Sequence, residues 1–382
     1  MSFRAATPSL RSVYFVAASV APPPDLLSRL RAVIAVHCGE DGVYDAFAVK
    51  RAAAAELGEA EAAAAAAAQR LRAIDDAELV VAELSCADAL TGAEVMYALH
   101  RRRVPVLCMW ENGKGGEFAA CLPDHPLLTK AEYADAHEAE ALVDAFVAPP
   151  ERPGRIFVVE GGDGAGKQTQ SAMLRDRLRA EGYPVQTLDY PHDTAQHGRL
   201  IRSLLSGAKG DIKAINPLLF ASLYAENRAD TAPLLNAWLR RGDNVVLDRY
   251  VEANFGHQAS KLPPSERPAL IHQLSEFEHG WLELPRAHKV VYLDLPPAEA
   301  AKAMMGDASR ASLDIHETAG ADYKSAVRDT FLWCAEHKEH WVRVECVDAG
   351  GERYSKAELS EVLWARLAGE FVNKKEAGAT SK

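Results

Sequence analysis

Long hydrophobic runs are absent from this chain of 382 residues. No stretch approaches the roughly 18 to 20 uninterrupted apolar residues of a membrane span. The N-terminus also lacks a basic segment leading into an apolar core, so no membrane partner is expected and the cytoplasm is the default compartment. Positive charge is in deficit: 43 Lys and Arg against 54 Asp and Glu leave a formal net charge of -11. That balance argues against broad binding of nucleic acid or anionic membrane through surface charge. Paired cysteines are missing too. Cys38, Cys86, Cys108, Cys121, Cys334 and Cys346 lie far apart with no CxxC spacing, so neither a zinc site nor a disulfide framework is suggested, and reduced, buried thiols are expected.

What is present is ordinary globular material, 48% hydrophobic and 25% charged, in a chain about twice the usual size of one domain. VYFVA, Val13 to Ala17, reads as a buried strand, broken by PPP before an apolar-periodic stretch around Leu26 to Leu30. The segment from Val49 to Ile74 carries the alanine run Ala62 to Ala68 and reads as a helix, because alanine has the best helix propensity. ELVVAEL and VPVLCMW read as strands around a helix at Ala93 to Arg101. PPERPG near residue 150 is a domain boundary. Beyond it come a strand at Arg155 to Glu160, a helix from Lys167 to Glu181, VQTLDY, two helical stretches over 198–240, then NVVLDRY and KVVYLDL. Strands alternating with helices predict an α/β protein of two domains, 1–150 and 153–370, each a mostly parallel sheet flanked by helices. Residues 371–382, ending in NKKEAGATSK, read as a disordered tail.

EGGDGAGKQTQ, Glu160 to Gln170, follows a strand and opens a helix, and it fits GxxxxGK. Gly161, Gly164, Ala165 and Gly166 let backbone N–H groups turn inward around phosphate oxygens, and the helix N-terminus adds partial positive charge. Lys167 is expected to reach the β and γ phosphates of a nucleoside triphosphate. The hydroxyl residue that normally follows this lysine and holds magnesium is replaced by Gln168. Thr169, one residue on, points about 100° away. An amide oxygen of Gln168, or carboxylates acting through water, are the alternatives for holding Mg2+.

NVVLDRY places Asp248 and Arg249 at the C-terminal end of an apolar strand, where ligands bind in open α/β sheets. LLFASLYAENRAD sets Tyr224 and Arg228 four apart on one helix face, and DIHE, Asp314 to Glu317, follows Arg310. On EGxDxAGKxTQ, LYAENR, DRY with Asn254 and DIHE, residues 153–370 resemble the thymidylate kinases. The resemblance implies a P-loop nucleoside monophosphate kinase fold, ATP and Mg2+ as cofactors, nucleotides as small-molecule partners, and a homodimer. It implies that Asp163 contacts the 3'-hydroxyl of dTMP, Tyr224 stacks on thymine, Arg228 hydrogen-bonds the base, and Arg249 holds the acceptor phosphate. Asp248 would support magnesium, with Gln168 as a second candidate ligand. Asn254, His257 and Gln258 would line the deoxyribose and base pocket, and Tyr190 would join the acceptor site. Relatives end the strand after the first helix in an FP element that often carries an arginine. Here it reads YPHD, Tyr190 to Asp193, so Arg310 is the expected source of transition-state charge.

In the first half, VYFVAAS, the strand ending VVAELS, and TGAEVMYAL followed by VPVLCMW resemble the nucleoside 2-deoxyribosyltransferases and their deoxynucleotide N-hydrolase relatives, over about residues 11–147. This resemblance implies a flavodoxin-like fold and a glutamate that attacks an anomeric carbon, matched by Glu94 after Gly92. Tyr14 and Ser19 match positions near the nucleotide. A carboxylate nucleophile suits an oxocarbenium-like transition state. The position of the family's helix aspartate is held by Arg70, with Asp75 and Asp76 in a different helical phase. Two functions follow: ATP-dependent phosphorylation of dTMP, alone or joined to glycosidic chemistry, or a nucleotide sensor whose altered phosphate loop binds without turnover.

Overall fold

The computed structural model describes residues 12–17, 24–46, 59–86, 88–150, 152–194, 196–208, 215–296, 298–300 and 321–371. Ser19, Arg310, Asp314 to Glu317 and residues 372–382 lie outside them. The chain divides into two compact units, Met1–Pro153 and Gly154–Lys382. No described helix is long and apolar enough to cross a membrane.

Unit 1 is built, in chain order, from β1 (Val13–Ala17), α1 (Pro24–Cys38), β2 (Val43–Asp45), α2 (Glu59–Asp76), β3 (Leu79–Glu83), α3 (Ala89–Met96), β4 (Val106–Glu111), α4 (Gly116–Cys121), β5 (Leu128–Tyr133) and α5 (Ala136–Val147). The strands form one sheet in the order β2-β1-β3-β4-β5, and every described pairing is parallel. β1 and β3 are buried at every position, as continuous apolar strands covered on both faces must be. The order reverses between β1 and β3, which opens a crevice at their C-terminal ends. Asp88 caps α3 by accepting from the Thr91 N–H at 2.8 Å.

Unit 2 continues with β6 (Ile156–Gly161), α6 (Lys167–Ala180), β7 (Val185–Asp189), α7 (Gln196–Leu205), α8 (Pro217–Ala229), α9 (Ala232–Arg240), β8 (Asn244–Asp248), α10 (Val251–Ala259), α11 (Arg267–Ser275), β9 (Lys289–Asp294), α12 (Ala321–His337), β10 (Trp341–Glu345) and α13 (Lys356–Phe371). Its sheet runs β10-β9-β6-β8-β7, again parallel in every described pairing. The α/β architecture of two helix-flanked parallel sheets thus matches the alternation in the sequence. β6 sits at the centre with β8 on one side and β9 on the other, so the loop leaving its C-terminal end opens at the switch point. Two apolar layers cover the sheet: one includes Val158, Tyr250, Phe255 and Phe331, the other Phe157, Val159, Leu174 and Phe371.

The span 198–240 holds three helices where two were expected, because Thr231 separates α8 from α9. Phe371, counted with the expected tail, is instead the last described residue of α13. Phe371 is 4% exposed, with its ring 4.8 Å from Phe157 and 5.4 Å from Tyr183, so α13 ends on a core residue. Replacing Phe371 with alanine is expected to lower the unfolding free energy of unit 2 by about 3 kcal/mol, the usual cost of emptying an aromatic site in a core. Urea denaturation measures it, and a loss within experimental error would place Phe371 outside the core.

Candidate functional site

Glycine-rich backbone and acidic side chains meet at the C-terminal ends of β6 and β8. Between β6 and α6 the chain turns through Gly164 at φ 76° and Gly166 at φ 92°, left-handed values that favour glycine. Gly166 is also the N-cap of α6, so the first free N–H groups of that helix lie at the loop. Lys167, in the first turn, is 8% exposed and donates from Nζ to the Gly162 carbonyl at 2.9 Å. Gln168 is exposed beside it and Thr169 half-buried.

Arg249 follows directly on β8 with φ 65°, a strained value for a residue with a side chain. Its N–H donates to the Val159 carbonyl of β6 at 3.2 Å, which fixes the turn. The guanidinium then reaches Asp163 Oδ1 at 3.2 Å and Glu160 Oε1 at 3.5 Å. Nη1 also lies 3.0 Å from His257 Nε2. Because arginine can only donate, Nε2 accepts and the ring proton sits on Nδ1, which donates to the Tyr323 hydroxyl at 3.1 Å. Asp248 keeps Oδ1 buried with no hydrogen-bond partner among the described residues. Lys167, Asp163, Arg249, Asp248 and His257 are therefore brought together.

Other expected residues hold different positions. Arg228 is 1% exposed: Nε and Nη2 donate to Glu278 at 2.5 and 2.7 Å, and Nη1 to the Tyr250 carbonyl at 3.2 Å. Arg228, expected at a base, is here engaged by a buried carboxylate through Nε and Nη2 and by a carbonyl through Nη1. Asn254 joins the same network, donating to Glu278 at 2.8 Å and to the Ala221 carbonyl at 3.2 Å. Tyr190 is a core residue at 6% exposure whose hydroxyl meets Thr231 Oγ1 at 2.6 Å. Gln258, 1% exposed, accepts from Lys261 Nζ at 2.8 Å. Tyr224 is half-buried and packs edge-on to Phe220, ring centres 5.1 Å apart.

Three residues that sequence reasoning passed over belong to this site. Glu160 is fully buried and accepts the Gly161 N–H at 2.9 Å; the signal was a carboxylate closing an otherwise apolar strand. Glu278 anchors Arg228 from 50 residues away, which no local pattern reveals. Arg353 donates to the Gly164 carbonyl at 2.7 Å from the turn before α13.

The thymidylate kinase family model matches residues 159–349. The chain belongs to the thymidylate kinase family. Thymidylate kinase of Bifidobacterium longum (strain DJO10A) is 32% identical over 216 residues, 56% of this chain and 95% of the relative. The enzyme of Clavibacter sepedonicus is 34% identical over 203 residues, 52% and 89%. The human one is 31% identical over 156 residues, 40% and 66%. The family's matched residues lie within unit 2 and carry the glycine loop, Arg249 and Glu278.

Burial sets the electrostatics of this thymidylate kinase unit. Desolvation, reinforced by the Arg249 charge, pushes the Lys167 ammonium down to about 8. Burial raises the Asp248 carboxyl while Lys167 and Arg249 oppose it. Arg249 itself is raised by Glu160 and Asp163 against the opposing effect of its burial.

In unit 1, Glu94 is 2% exposed and its Oε1 pairs with Arg70 Nη2 at 2.7 Å. Arg70 Nε also donates to the Tyr14 hydroxyl at 3.3 Å. Burial raises the Glu94 carboxyl and Arg70 opposes it. A Cβ on Gly92 would meet the Phe118 ring at 2.9 Å, so that glycine serves packing. Glu83, at the end of β3, accepts from the Tyr133 hydroxyl at 2.8 Å.

Glu252 on α10 is buried with Oε2 unpartnered among the described residues, and desolvation raises it from 4.5 to about 8. The folded protein therefore holds more protons than the unfolded chain between pH 4.5 and 8, so this group's contribution to stability falls as pH rises through that window. Glu252→Gln, which cannot ionise, is expected to raise Tm relative to the parent by more at pH 8 than at pH 5. Thermal denaturation at the two pH values checks it, and an equal shift at both would remove the titration from Glu252.

Proposed function

We propose that unit 2 transfers the γ-phosphoryl group of ATP to dTMP, giving dTDP. The observation that carries this reading is the convergence of Lys167 and Arg249 on the mouth of one glycine loop. Phosphoryl transfer asks little covalent chemistry of a protein, so alignment and charge supply most of the acceleration. Loop N–H groups and Lys167 hold the donor phosphates, with the Lys167 contact to Gly162 giving way to phosphate. Arg249 presents the acceptor phosphate through its planar fork. Its carboxylate partners Asp163 and Glu160 keep the fork in place before substrate arrives. Asp163 is left to meet the 3'-hydroxyl of the acceptor as Arg249 turns to phosphate.

Tyr224, with Phe220 against its edge, offers the aromatic face for thymine. Beneath it the Arg228–Glu278–Asn254 network makes a rigid, buried floor. The Asp248 oxygen that has no partner among the described residues fits a cation, with Gln168 in the first turn of α6 as the second candidate ligand. Magnesium, when bound, neutralises charge across the donor phosphates. Arg310 is proposed as the further cation on the transferred group, and the active form as a homodimer.

For unit 1 the strand order 2-1-3-4-5 supports a flavodoxin-like fold, with Tyr14 on β1 and Glu94 beyond β3 beside its switch point. We infer a nucleotide-binding unit rather than a glycosidase, because the carboxylate that would attack an anomeric carbon is neutralised by a buried arginine. Arg70 also stands where the nucleoside 2-deoxyribosyltransferases, which residues 11–147 resemble, carry a helix aspartate.

Coupled ADP release measured over dTMP, dUMP, UMP, CMP and AMP is expected to show turnover with dTMP foremost. Arg249→Ala is expected to lower kcat/KM for the acceptor by about a thousandfold with an unchanged fold, since a charge-assisted clamp is lost from the transition state. Near-normal turnover in that variant, or silence with every acceptor, would refute the kinase reading. No free base should be released from dTMP, dCMP, dAMP or dGMP by the whole protein. Release that vanishes in Glu94→Ala would instead establish glycosidic chemistry in unit 1.

A further inference from the structure

The excursion from β10 to α13 ends on the phosphate loop. The Cys346 N–H extends the sheet by donating to the Asp294 carbonyl at 3.0 Å, and Val347 pairs with Arg353 across a tight antiparallel turn. Asp348 closes that turn: its carboxylate accepts the N–H groups of Gly350 at 2.8 Å and Glu352 at 2.9 Å. The Tyr354 N–H returns to the Cys346 carbonyl at 3.1 Å. On the far side Ser355 and Glu358 bond reciprocally, Ser355 N–H to Glu358 Oε2 at 2.8 Å and Glu358 N–H to Ser355 Oγ at 3.3 Å, which caps the start of α13. Gln170 of α6 donates to the Lys356 carbonyl at 2.9 Å, tying the same segment to the helix that follows the glycine loop. Arg353 is thus held at both ends by short-range bonds.

From this turn its Nη2 donates to the Gly164 carbonyl at 2.7 Å, and the same nitrogen lies 4.0 Å from where a Cβ of Gly166 would stand. The guanidinium therefore lies along the crest of the loop, from residue 164 to residue 166. A phosphate-binding loop works only while its N–H groups face inward and its carbonyls outward. The peptide between Gly164 and Ala165 follows a residue with no side chain, at φ 76°, and its N–H has only a long bond of 3.3 Å to the Gly162 carbonyl, so little besides Arg353 resists its rotation. A rotation there would turn a carbonyl oxygen toward phosphate.

We propose that Arg353 is a positioning residue of the donor site, which pins the Gly164 carbonyl outward and so keeps the loop in its phosphate-binding form. The proposal rests on reading the loop as the donor site. It assigns Arg353 to donor affinity and gives it no part in acceptor binding. A charge-assisted hydrogen bond held in place by a closed turn is of the size that changes affinity about tenfold.

Calorimetric titration of the whole protein with MgADP, and separately with dTMP, tests this together with steady-state kinetics. Arg353→Ala is expected to weaken MgADP about tenfold and to raise KM for ATP by a similar factor, with dTMP affinity within about twofold of the parent. Arg353→Lys, which keeps a charged donor, should recover most of the loss. Asp348→Ala, which opens the turn, should reproduce the alanine effect in part. Unchanged MgADP affinity in Arg353→Ala overturns the proposal, as does an equal loss for MgADP and dTMP. A parent protein that binds MgADP and phosphorylates nothing would remove the kinase reading alone, because the binding comparison still decides the role of Arg353. A parent that binds no MgADP would remove both.

Discussion

The placement of one arginine on a strained turn, between two carboxylates, organises the polar end of unit 2. Arg249 at φ 65° is held by its N–H bond to Val159 and by Asp163 and Glu160 on its guanidinium. A left-handed residue that is not glycine costs of order 1–3 kcal/mol and persists only where its surroundings over-determine it. Here they do, because the strand end, the glycine loop and the imidazole of His257 all converge on the same side chain. In a chain with a net charge of -11, positive charge can be offered to an anion only by concentrating it in this way. The carboxylates keep the cation ordered, and any anion that approaches it must compete with them.

The motif-bearing parts of the site were legible because their geometry is local. Gly161 to Lys167 specify a turn and a helix start by themselves, and Asp248 with Arg249 sit at the end of an apolar strand. The roles of Arg228 and Asn254 were not legible, since a helix face four residues apart says nothing about what lies opposite. Glu278, brought in from the turn after α11, converts both side chains into parts of a buried network. Arg353 escaped for the same reason: an exposed arginine in a Gly-Gly-Glu-Arg turn looks like any solvated charge until the sheet lays it across the loop.

Among the strands, β1, β3 and β6, buried at every position, and β8, buried up to Asp248, are legible from their apolar runs. β5 and β10 went unread, because LTKAEY and WVRVE interleave polar residues with apolar ones at the margins of their sheets. β2 has only three residues and no signal of its own. In unit 1 the substitution of Arg70 for an expected aspartate is visible in sequence, while its consequence, a buried pair between Arg70 of α2 and Glu94 of α3, is not.

The lowered proton affinity of Lys167 links nucleotide capture to the surrounding buffer. Burial and the Arg249 charge bring its ammonium down to about 8, so the free side chain gives up its proton more readily than an exposed lysine does. Phosphate groups placed beside it on the proposed reading favour the charged form and draw protons from an alkaline solution. The heat measured on binding then contains the ionisation heat of whichever buffer gives up the proton. On the proposed reading, capture of the donor consumes protons and weakens as the medium becomes more alkaline.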